Sequence, residues 1–112
     1  MDQLHQLFAR SLREIQAHAS ESTETAEGRY FINEAAHLLA ALRLWAQSSY
    51  STEQSVREIL ETLDGAALRD IAGQLRGMDT QDAKTASATV VVMAKLPSGH
   101  LRAIASYALR AM

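Results

Sequence analysis

Glu34 and His37, in the run Glu34-Ala35-Ala36-His37, stand three residues apart, which puts a carboxylate and an imidazole on one face of a helix. Helical bundles present ligands to a carboxylate-bridged pair of iron or manganese ions in this way, with two such pairs and two further glutamates completing the site. The chain holds a single Glu-x-x-His, so a symmetric dimer would have to supply the second. Glu14 and His18 form another carboxylate–imidazole pair at i and i+4, and Glu27 lies one heptad before Glu34. These five are the candidate metal ligands. The rest of the sequence calls for no cofactor.

Other chemistry is excluded more firmly. With no cysteine there is no disulfide framework, no thiolate-held zinc or iron–sulfur cluster, no thioether-linked haem and no thiol nucleophile. In Pro97-Ser98-Gly99-His100 a serine stands two residues from a histidine, but no Gly-x-Ser-x-Gly elbow is present to strain and expose it. The segment reads as a chain break followed by a helix N-cap. Without a phosphate loop, a dinucleotide fingerprint or a paired-acid motif, the chain reads as non-enzymatic.

Two further patterns point to binding. Residues 56–76, VREILETLDGAALRDIAGQLR, have the proportions of a helix-turn-helix, with Arg69, Gln74 and Arg76 available on the second helix to meet DNA. Glu61 stands where close packing needs a small residue, Asp64 where an apolar one closes the turn, and Asp70 interrupts the basic face, so an ordinary helical hairpin fits better. The C-terminal helix carries an apolar stripe of Leu101, Ile104, Ala105, Ala108 and Met112 with Arg102 and Arg110, and offers Leu101, Ile104 and Tyr107 for contact. Together with Trp45 and Tyr50 these form the candidate protein interface.

LRDIAGQLRGM and LRAIASYALRAM also resemble the closing helix of small c-type cytochromes. That family's Cys-x-x-Cys-His is absent, so covalent haem is excluded and no site residue follows from the likeness.

The elements that must position these residues are helices. Alanine and leucine dominate, proline occurs once, and helix propensity is high throughout. Leu4, Phe8, Leu12 and Ile15 define a first helix over about 2–19. SESTETAEG, residues 20–28, reads as a flexible loop. A second helix from near Thr25 to about Ser48 is apolar on most sides and therefore central. Ser51 with Gln54 suggests a capping box for a third helix, ended by Asp64-Gly65. A fourth, about 66–76, stops at Gly77, and Asp79 is the expected cap of a fifth. The β-branched run in 83–94 could make a strand, but one short strand has no partner, and Ala83, Ala86 and Ala94 fall at helical spacing. The expectation is an all-α, single-domain bundle of five to six helices over residues 1–112.

The chain has 112 residues, 47% of them hydrophobic, and a formal net charge of −2, which disfavours nucleic acid as a general partner. Acids concentrate before residue 65 and bases after it. Charges at Asp2, Arg10, Arg13 and Glu14 do not fit a secretory leader, Glu34 and Arg43 interrupt the most apolar stretch, and the expectation is a cytoplasmic chain that does not span a membrane. Small size and Ala/Arg-rich composition fit a bacterial protein. Absent catalytic motifs, opposed halves and surplus apolar stripes together predict a small adaptor, chaperone-like or regulatory module that binds another protein or a second copy of itself. A dimeric metal-binding bundle and a DNA-binding regulator are the alternatives.

Overall fold

A computed structural model describes residues 2–112. These fold into an all-α bundle: α1 (Gln3–His18), a 3-10 turn (Ser20–Glu24), α2 (Ala26–Ser48), α3 (Glu53–Glu61), α4 (Gly65–Arg76), α5 (Gln81–Ala94) and α6 (Ser98–Leu109). Side-chain oxygens of Asp2, Thr25, Thr52, Asp64 and Thr80 accept from the third backbone N–H beyond them, so five helix starts are capped locally. Pro97 opens α6 with its missing N–H at an end that needs none, and Ser98 is the first helical residue rather than the cap.

Several boundaries differ from expectation by a residue or a role. Thr52 rather than Ser51 caps α3, and Thr80 rather than Asp79 caps α5. Asp64-Gly65 begins α4 instead of ending α3, which stops at Glu61. Gly65 is required there, because a Cβ on it would lie 2.8 Å from the carbonyl oxygen of Ala94 at the end of α5. Residues 20–28 are structured: the 3-10 turn packs on α2, and a Cβ on Gly28 would fall 1.9 Å from the Ser22 carbonyl oxygen. The disputed run 89–93 is helical. Ala83, Ala86, Val90 and Met93 are all buried, a helical spacing of contacts that outweighs the β preference of valine.

α2 is the central element, packed against α1, α5, α6, α3 and the 3-10 turn, while α4 pairs with α5. The core is made of Leu, Ile, Val, Met and Ala, with Leu38, Leu39 and Leu42 of α2 fully enclosed. On α1 the buried seam runs through Leu7, Ser11 and Ile15, leaving Leu4, Phe8 and Leu12 half-buried beside it. The seam includes a serine because its hydroxyl accepts from the guanidinium of a buried arginine, Arg43.

Candidate functional site

Arg43 is the one charged residue in the core among the described residues, with 3% of its side chain exposed. Nη1 donates to Ser11 Oγ (3.0 Å) and Glu14 Oε1 (2.6 Å), and Nε and Nη2 both donate to Glu53 Oε1 (2.9 and 2.5 Å). One guanidinium thus joins α1, α2 and α3. Burial alone would lower its pKa, but the hydrogen bonds to Glu53 and then Glu14, with their charges, outweigh burial and hold it above the ordinary value. In the sequence Arg43 stands only as an interruption of an apolar run. A lone arginine in a helix apolar on most sides was itself the signal, since a buried charge needs partners.

That arrangement occupies one of the candidate metal ligands. Glu14 pairs with Arg43 and, at 3.6 Å, with Arg10. His37 is exposed and stacks on Phe8 with ring centroids 4.2 Å apart, Glu34 is half-buried, and His18 and Glu27 are exposed. Among the described residues no three His, Asp or Glu side chains converge as a metal site. A groove of about 340 Å³ between α1, α2 and α5 holds His5, Phe8, His37 and Asp82. Its Asp82 carboxylate accepts from the backbone N–H groups of Gln3 and Leu4, which closes the exposed start of α1.

Nor are α3 and α4 built as one unit: α4 packs on α5, and α3 on α2 and α6. Arg69 and Arg76 are exposed. Gln74 accepts from Trp45 Nε1 (2.8 Å), which ties α4 to α2.

Leu101 and Ile104 of the candidate interface lie in the bundle's own core, and Trp45 is half-buried. Tyr50 is 97% exposed and has φ 56°, the left-handed residue that ends α2. Ser51 N–H bonds the Ala46 carbonyl and Tyr50 N–H the Gln47 carbonyl, a helix ending that usually employs glycine.

The aromatic residues as a set behave unusually. The chain has two phenylalanines, three tyrosines and one tryptophan, and none is fully buried: Tyr30 and Tyr50 are exposed, and Phe8, Phe31, Trp45 and Tyr107 are partly buried against the core. Tyr30, Phe31 and Tyr107 gather with His100 on the face where α2 and α6 pass each other. Ring centroids are 5.3 Å apart for Tyr30–Phe31, 5.1 Å for Phe31–His100, 5.7 Å for Tyr30–His100 and 6.2 Å for the stacked Phe31–Tyr107. Tyr30 Oη and His100 Nε2 share a hydrogen bond of 3.3 Å, and Tyr107 Oη donates to Ser22 Oγ at 3.0 Å. The Arg110 guanidinium sits over the Tyr107 ring, 4.6 Å from its centre. Beside these rings a shallow depression is lined by Thr25, Glu27, Gly28, Phe31, Ala103 and Tyr107. Of this face, Tyr107, Arg110 and Glu27 stand out in the sequence, His100 stands out only beside Ser98, and Tyr30 does not stand out. The adjacency of Tyr30 and Phe31 near the polar start of α2, beside Glu27 and Arg29, was the available signal.

In comparisons with known protein families, curated proteins and solved structures, nothing matches this chain. No described helix is long and apolar enough to cross a membrane.

Proposed function

We propose that this protein is an interaction module that binds a polypeptide through the aromatic face of α2 and α6. The observation that carries the reading is that no aromatic side chain is fully buried, with four rings, His100 included, collected on one face. Large rings are the usual choice for filling a core, and burying one stabilises a fold by about 1.5–3 kcal/mol. A domain whose fully buried side chains are aliphatic, and whose rings stay at the edge of the core, partly buried or exposed, gathers the side chains of a binding face there. Aromatic residues and arginine are the groups enriched at interface centres, where their area is large and their rotamer entropy small. Arg110 over Tyr107 extends that pattern to the edge.

The test is position-dependent photo-crosslinking in cells that make the protein. A photoreactive phenylalanine analogue is placed at Tyr30 or Ala103 on the face, and at Gln54 or Lys84, exposed residues of α3 and α5, as controls. The expected result is a polypeptide adduct from the two face positions only, lost when Phe31→Ala is added. Equal yields at all four positions, or no adduct, would overturn the reading.

A further inference from the structure

The charges on this face point to what covers it. α2 and α6 run antiparallel here: His100 meets Tyr30 at one end, while Tyr107 meets Phe31 and shares the depression with Glu27 at the other. At the Tyr107 end Glu27 lies on the α2 side and Arg110 on the α6 side, both exposed, and neither is in an ion pair among the described residues. An acid and a base flanking one aromatic strip make a surface that can pair with itself. Resting on the interaction reading above, we infer that the occupant is a second copy of this chain, joined by a two-fold axis that lies in the interface and runs along the seam between α2 and α6.

That operator lays α2 of each copy over α6 of the other. Ends of like position stay together, so Glu27 of one copy meets Arg110 of the other, twice, and Tyr30 of one meets His100 of the other. Phe31 and Tyr107 lie near the axis and are covered by their own symmetry mates. The other way to superpose the face on itself, with the axis across the helices, sets Glu27 against the Tyr30 turn and leaves Arg110 opposite His100, so that neither charge meets its opposite. Charge therefore selects one of the two arrangements. With a net charge of only −2 the copies do not repel each other strongly. A stable dimer needs about 800 Å² from each partner, a modest share of the 6089 Å² of accessible surface on this chain.

Sedimentation velocity over a concentration series tests the inference with the full chain. The wild type is expected to be a dimer at micromolar concentration. Glu27→Arg and Arg110→Glu, each alone, set like charges together at both contacts and should weaken association by roughly a hundredfold. An equimolar mixture of the two variants restores both contacts and should form a heterodimer close to wild-type affinity. Far-UV circular dichroism checks that each variant keeps its fold, and Ala103→Trp, which fills the depression, provides a third disruption independent of charge. A wild-type monomer throughout, or reversal variants that dimerise as the wild type does, would overturn the inference. If the chain is monomeric and the face crosslinks instead to a polypeptide of another mass, the second copy is wrong and the interaction module stands. If the face crosslinks to nothing, both fall.

Discussion

The two halves of α2 solve different problems with the same backbone. The C-terminal half buries a charge: Arg43 is enclosed and held by Ser11, Glu14 and Glu53 from α1 and α3. The N-terminal half buries no charge and carries Tyr30 and Phe31 outward to meet His100 and Tyr107 of α6. In the first region polar groups are turned inward and fully satisfied, and no buried side-chain N or O atom lacks a partner among the described residues. In the second, the Tyr30 ring is exposed and those of Phe31 and Tyr107 are only partly buried against the core. An inward ion network specifies which helices pack together, whereas an outward aromatic cluster leaves surface that only another molecule can bury. The first region therefore accounts for the fold, and the second for the proposed function.

The largest effect is expected from breaking the C-terminal half. Arg43→Ala leaves Glu14 and Glu53 without their partner and a hole at a three-helix junction, and should lower stability by about 3 kcal/mol in urea unfolding. Arg43→Met keeps most of the stem volume, and because both carboxylates reach solvent it should cost clearly less. Equal losses for the two would mean that the charge, not the space, carries the junction.

Next comes the support beneath the aromatic face. On helix propensity alone Gly28→Ala would stabilise α2 by about 1 kcal/mol. The added Cβ falls 1.9 Å from the Ser22 carbonyl oxygen, so the 3-10 turn has to move, and a net loss of about 2 kcal/mol is expected. The sign of the change in thermal midpoint decides between the two.

At the far end of α2, Tyr50→Gly removes a left-handed non-glycine residue that touches little. It should raise stability by about 1 kcal/mol. A loss instead would show that the Tyr50 ring makes contacts that hold the fold. The smallest effect sharpens the comparison most. Tyr30 is 45% exposed, so Tyr30→Ala should change stability by less than about 0.5 kcal/mol while it abolishes crosslinking and dimer formation through the face. If it unfolds the protein instead, the Tyr30 ring belongs to the core after all.

The helices were legible because their signals are local. Thr25 marks a boundary through its side-chain cap and Pro97 through its missing N–H, and Ala83, Ala86 and Ala94 declare a helix by spacing despite the valines between them. Caps slipped by one residue, from Ser51 to Thr52 and from Asp79 to Thr80, because adjacent residues offer nearly equivalent side-chain acceptors. The candidate site was less legible. Leu101 and Ile104 formed a stripe on paper, but a stripe does not say whether its partner is another helix of the same chain, and here it is α2 and its neighbours.

The sequence by itself therefore determined an all-α chain, the central position of an α2 apolar on most sides, and the absence of all cysteine chemistry, since composition and periodicity suffice for each. Only the tertiary structure decided that Arg43 is clasped by carboxylates 29 and 10 residues away and that Tyr30 meets His100 across 70 residues. Periodicity records which face of a helix is apolar. Which faces remain uncovered follows only when every helix has taken its place against the others, and that is where the aromatic face appears.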